Sequence, residues 1–166
     1  MKKSTMKQPR TTIKALLLLI AAALTWPLAA NAGGGPTALE GTWDVTVTVR
    51  NCASDVAIRS FPRMVTFHKG GTLTEWAAAG TEAQPTNRSV GQGTWGFLGN
   101  REFTYSLKFL RLTPFGGPDG SVAEQYTLEV ESSGLGYAAE GIAHITLGNG
   151  FVIGPLCLSE AGIKVF

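Results

Sequence analysis

From Trp43 to Arg50 apolar and polar residues alternate: Trp43, Val45, Val47 and Val49 against Asp44, Thr46, Thr48 and Arg50. Successive side chains point to opposite sides of a strand, so this period of two predicts a β-strand with one buried face and excludes an amphipathic helix. The same period recurs. Phe103, Tyr105, Leu107 and Phe109 share one face of a predicted strand over residues 102–112, and Val122, Tyr126, Leu128 and Val130 share one face over residues 121–131. Further strands are expected over 62–68, 72–77, 93–98 and 137–147, with three short ones between Phe151 and Phe166. Turn pairs such as Gly70-Gly71, Gly99-Asn100 and Gly148-Asn149-Gly150 separate them. Residues 79–91 and 113–120 read as longer loops. No persistent helical period interrupts the series after residue 38. Short connections make successive strands antiparallel neighbours, and closing such a meander removes its exposed edges. The fold class is therefore all-β, an eight- or nine-stranded antiparallel up-and-down barrel, with a β-sandwich as the alternative.

The chain opens differently. Residues 1–14 carry five basic side chains and no acid, residues 15–24 are apolar, and Ala30-Asn31-Ala32 has the small-residue pattern of a cleavage site. This predicts a secretory signal peptide over residues 1–32 and an exported, periplasmic or extracellular product. The apolar run is too short to span a bilayer, so no membrane span is expected after cleavage. Residues 33–38, Gly-rich and ending near Pro36, are expected to form a flexible arm, and residues 39–166 a single barrel domain. Of the 14 basic and 12 acidic residues, five basic ones leave with the signal, so the remainder is slightly acidic. Nucleic-acid binding, which needs a basic surface to neutralise phosphates, is not expected. Cys52 and Cys157 are the two cysteines. In an oxidising compartment an isolated pair predicts a disulfide, and barrel closure would bring the first and last strands, which carry them, together.

At the head of the first strand stands Leu39-Glu40-Gly41-Thr42-Trp43. Downstream come Phe67-His68-Lys69-Gly70-Gly71 and Gly91-Gln92-Gly93-Thr94-Trp95. This pattern resembles the G-x-W signature of lipocalin-like, calycin-type barrels and of uncharacterised exported bacterial proteins of that type. The resemblance implies a closed barrel in which Trp43 lies across the closed end, with Gly41, Gly93 and Trp95 in structural roles and a cavity above. The resemblance also implies an Arg near the last strand stacked on that Trp; this sequence departs from it, the final segment offering only Lys164.

No catalytic set, metal-ligand set or cofactor motif is identified. Gly91-Gln92-Gly93-Thr94-Trp95-Gly96 matches a dinucleotide fingerprint in letters. A strand follows it rather than a helix, so the glycines read as turn and close-packing positions. His144 and Glu140, four apart on one strand, are separated by about 13 Å and cannot share an ion. Trp43, Trp76, Trp95 and the Phe and Tyr residues supply enough aromatic surface to fill or line a barrel. Extending the apolar registers places Arg111 beyond Phe109, and Glu124 between Val122 and Tyr126. A hairpin centred on Gly117-Pro118 would set Arg111 opposite Glu124. An inward Arg111–Glu124 pair is thus the expected polar anchor, with Tyr105, Tyr126 and Trp76 as further lining; the alternative is a bulge that turns one of the charges outward. The leading function is non-enzymatic binding of a small, mainly apolar ligand. Protein–protein recognition such as protease inhibition through the N-terminal arm, and an isomerase or cyclase acting in the barrel, are the competing readings.

Overall fold

The computed structural model describes residues 34–77 and 87–166. The expected signal peptide lies outside the described residues. Nine strands run in order: β1 (Gly41–Arg50), β2 (Ala57–His68), β3 (Thr72–Ala77), β4 (Asn87–Arg88), β5 (Gly91–Gly99), β6 (Glu102–Leu112), β7 (Pro118–Val130), β8 (Gly136–Leu147) and β9 (Val152–Lys164). No helix occurs among the described residues. Every pairing is antiparallel, β9 closes on β1, and β6 joins β5 to β7, giving a closed eight-stranded up-and-down barrel with β4 as an extra strand.

The extra strand is a continuation of β5. β4 pairs with β6 through Asn87–Leu112 and Arg88–Arg111, and β5 takes up the same strand at Gln92–Lys108. One residue is gained between the two runs, where Ser89 N donates to Leu110 O and Leu110 N donates to Ser89 Oγ. A break of this kind is a bulge, which bends one strand of a barrel wall and re-aims its side chains.

Following the register once round the wall, from Gly41 through Phe67, Leu73, Gly93, Leu107, Glu124 and Ala143 to Leu156, returns to β1 about ten residues further on. That stagger tilts the strands and divides the barrel into two ends. At the end where β1 starts, the interior is closed. Trp43, fully buried, donates its indole N–H to Leu39 O at 2.9 Å and meets Tyr137 edge-on at 5.0 Å. Phe67, Phe103, Leu128 and Val130 fill the same layer. Lys164 crosses over Trp43, its Nζ 5.0 Å from the ring and 3.1 Å from Ala38 O. Gly41, at φ 120°, lets the Lys164 chain lie against it. Ahead of β1 the chain turns twice, Ala38 N donating to Gly35 O within the expected arm and Glu40 N to Thr37 O at its junction with the barrel, where Leu39 is fully buried. At the opposite end, the mouth, interior exposure rises to 7–8% at Phe61, Phe109 and Val122. Cys52 and Cys157 are joined there, because Arg50 of β1 pairs with Cys157 of β9.

Glycines set the wall thickness. Tyr126 faces Gly141 across β7–β8, and Tyr137 faces Gly162 across β8–β9. A Cβ at either glycine would run into the tyrosine ring, so each ring lies flat over bare backbone. Gly93 likewise lets the β6 backbone at Ser106 and Leu107 approach closely, and Gly91 makes room for Glu75. Two glycines of the dinucleotide fingerprint, Gly91 and Gly93, are thus packing glycines in a strand, while Gly96 faces open space.

Candidate functional site

The inward registers carry charge at the centre of the barrel. On β2 the buried run is Phe61, Arg63, Val65, Phe67; on β3, Leu73, Glu75, Ala77; on β7, Val122, Glu124, Tyr126; on β9, Leu158 then Glu160. Arg63 is the hub. Its Nη1 donates to Glu124 Oε2 at 2.7 Å, and its Nη2 donates to Tyr105 OH at 2.8 Å and to Glu160 Oε1. Tyr105 and Tyr137 donate their hydroxyls to Glu160 Oε2, at 2.5 and 3.2 Å, and Tyr126 donates to Glu124 Oε2 at 3.1 Å. Tyr105 stacks on Tyr126 with ring centroids 4.6 Å apart. Beside this cluster the Glu75 carboxylate is paired with Arg88, whose guanidinium sits 3.3 Å above the Phe109 ring. The bulge between β4 and β5 is what brings Arg88 to this position.

Isolated charges in such a place would cost several kcal/mol each, and only pairing and hydrogen bonding make them tolerable. Burial alone would lower the Arg63 pKa, but Tyr105, Tyr126, Glu124 and Glu75 outweigh it and hold the guanidinium charged. Burial pushes the Tyr105, Tyr126 and Tyr137 hydroxyls up against the opposing pull of Arg63, so they remain donors at neutral pH. Burial also raises Glu75, against the pull of Arg63 and Arg88. Two buried atoms have no hydrogen-bond partner among the described residues: Arg63 Nε and Glu75 Oε1. Buried polar atoms are nearly always paired, so each of these two requires a reason.

The expected anchor is corrected by this arrangement. Glu124 is inward and ion-paired, but to Arg63 and not to Arg111. Arg111 pairs with Asp119 at 3.0 Å near the β6–β7 turn. The turn is tighter than expected, with Thr113 N bonded to Gly117 O at 2.8 Å, and the ladder slips between Leu110 and Leu112. Glu124 therefore lies opposite Leu107, Tyr126 opposite Tyr105, and Leu128 opposite Phe103. The displacement along the partner strand is an even number of residues, so every inward face survives while each cross-strand partner changes. The ladder shifts at Arg111, whose side chain stays partly buried beside Asp119. Trp76 is also corrected: it is 57% exposed on the outer wall, because Leu73, Glu75 and Ala77 hold the inward register of β3. Tyr105 and Tyr126 are inward as expected, and Trp95 is half-buried, its indole N–H donating to His68 O at 3.0 Å. Arg63, Glu75, Arg88 and Glu160 escaped sequence reading. The signal for three of them was present, since each interrupts an apolar period of two; Arg88 had none, because a bulge decides its direction.

No protein-family model matches the chain, and neither a curated protein nor a solved structure matches it. The architecture, a closed antiparallel barrel with a Trp and a cation at its closed end, is compatible with a calycin-type fold.

Proposed function

We propose that this is an exported, lipocalin-like binding protein that takes a small, mainly apolar molecule into the mouth half of its barrel and does not transform it. The observation that carries the reading is the pair of buried, unpartnered atoms, Arg63 Nε and Glu75 Oε1. Arg63 lies one inward step below Phe61 on β2, and Phe61, Phe109 and Val122, with Ile145 packed against them, form an apolar layer at the mouth. Apolar walls over a few oriented polar atoms are what a small-molecule site requires. A hydroxyl-bearing ligand head can accept from Nε and donate to Oε1, leaving its apolar body among the mouth residues. The disulfide is consistent with an oxidising compartment and supports export. Lys164 stands over Trp43 where the lipocalin-like pattern has an Arg, so the position is kept and the residue type differs.

Native mass spectrometry of the disulfide-intact protein, recovered from an oxidising compartment, tests the reading. A retained small mass is expected, and Ile145→Trp, which plugs the mouth without touching the charged cluster, should abolish it. Ligand-free spectra from several expression hosts, or unchanged retention in the plugged variant, would reject the proposal.

A further inference from the structure

The inner wall of β2 and β3 carries a matched pair of unpartnered groups. Arg63 pairs with Ala77 across the two strands, and Val65 pairs with Glu75. Arg63 and Glu75 are therefore diagonal neighbours on one inward face. Such neighbours lie about 7–8 Å apart, close enough for two long side chains to share one small group between them. Arg63 Nε is a buried donor without an acceptor, and Glu75 Oε1 is a buried acceptor without a donor. Neither side chain has any exposed surface.

The remaining polar atoms of both side chains are committed elsewhere. The two Nη atoms of Arg63 serve Glu124, Tyr105 and Glu160. Arg88 takes Glu75 Oε2, and a Cβ at Gly91 would collide with that same oxygen. These contacts hold both side chains in place, yet no ion pair or hydrogen bond joins Arg63 to Glu75 among the described residues. Burial raises the Glu75 pKa, and of the charges opposing it Arg63 acts most strongly, ahead of Arg88. The two groups are thus neighbours held out of direct contact. Ala77, the smallest inward side chain of β3, faces Arg63 directly and leaves the wall thinnest beside the Arg63 stem.

We propose that Arg63 Nε and Glu75 Oε1 share one buried water molecule, seated beside Ala77. A guanidinium only donates and an ionised carboxylate only accepts, so the group between them must do both. A metal ion or an ammonium offers Nε nothing, and an anion would face the Glu75 and Glu124 carboxylates. Water accepts from Nε and donates to Oε1, and buried waters occupy small polar niches of this kind. The water does not rest on the ligand reading, because a barrel that binds nothing still has to satisfy both atoms. Where a ligand is taken up as proposed above, its hydroxyl replaces this water.

A high-resolution crystal structure of the disulfide-intact protein tests the site. An isolated density peak is expected within about 2.7–3.2 Å of both atoms. In solution the Arg63 Nε–H should show cross-relaxation with the water resonance. Ala77→Val places a branched side chain where the water sits, so the peak and the cross-relaxation should both be lost while the Trp43 indole resonance stays unchanged. Tyr105 is intact in that variant, so a signal relayed through its hydroxyl would persist and is told apart. Density that continues from the same point toward Phe61 is a ligand hydroxyl in the water's place and supports the site. A lone water peak in protein that retains no ligand also supports it, and rejects only the ligand reading. The proposal is overturned if the parent shows a direct Arg63 Nε–Glu75 Oε1 bond, if no density bridges the two atoms, or if the peak survives in Ala77→Val. Should that variant fail to fold, the parent structure decides alone.

Discussion

Arg63 holds two carboxylates and a phenol with one guanidinium, so its removal strands more than one partner. Arg63→Met keeps the length of the side chain but leaves Glu124 and Glu160 without their cation. Breaking a buried pair from one side costs about 3–5 kcal/mol, and urea unfolding at neutral pH should show a loss of that order. Replacing Glu124 and Glu160 by Leu in the same chain should recover part of it, because the cost lies in the stranded charge; no recovery would mean that packing around Arg63 dominates. Glu75 gives a pH signature. Burial raises its folded pKa above the ordinary 4.5, so the folded state binds a proton more tightly than the unfolded one. The associated stability is complete below that ordinary value and is lost as pH rises through the raised folded pKa. Glu75→Gln removes this titration. The variant should therefore gain on the parent as pH is raised from about 4.5, and a pH-independent difference between the two would show that Glu75 is not shifted. The residues of this cluster illustrate what alternation alone makes readable. Arg63, Glu75 and Glu160 stand in inward registers that Phe61, Leu73 and Leu158 define, so their burial could be read from the chain. Their partners could not, because Arg63 and Glu124 are 61 residues apart and meet across the barrel.

At the scale of strands, the tyrosine–glycine pairs decide how β7, β8 and β9 stack. Tyr137 lies over Gly162, and a methyl group there must displace ring or backbone. Gly162→Ala should cost about 1–3 kcal/mol, as overpacking does. Combined with Tyr137→Leu the two changes should cost less than their sum, measured as a double-mutant cycle in thermal or urea unfolding; strict additivity would show that the ring does not occupy the glycine's place. The β6–β7 hairpin teaches the complementary lesson. Its inward faces follow from the period of two in Phe103–Phe109 and Val122–Val130, and they are correct. Its register follows from the turn, where Thr113 Oγ1 accepts from Gly117 N at 3.1 Å and tightens the loop. Composition between Thr113 and Gly120 favours several turns equally, so the pairing of Glu124 was beyond what local sequence specifies.

Closure governs the whole molecule. β1 and β9 are adjacent only because the meander returns on itself, and the Cys52–Cys157 bridge pins that return across 105 residues. In the chain-entropy picture a loop of this length stabilises by about 4–5 kcal/mol. Unfolding in urea with and without reductant should show a difference of that order, and thiol titration of unfolded, unreduced protein should find no free thiol. Two reactive thiols per chain would contradict the bridge. Because the bridge sits at the mouth while Trp43 and Lys164 sit at the base, the reduced protein should lose protection first around β1–β9 near Arg50, by hydrogen exchange, with Trp43 still buried.

The amino-acid sequence by itself determined most of the strands, their inward faces, the closed barrel with its bridged cysteines, and the burial of Trp43, although it divided β9 into three short strands and read β4 as loop. Each of these depends on period two, turn residues or the count of elements, which are local properties. Only the tertiary structure decided that Arg63 rather than Arg111 meets Glu124, that Arg88 enters beside Glu75, and that Trp76 faces outward. The physical reason is that a barrel interior is assembled from strands distant in the chain. A single bulge or a turn shortened by a few residues changes which side chains meet there while leaving every local pattern intact.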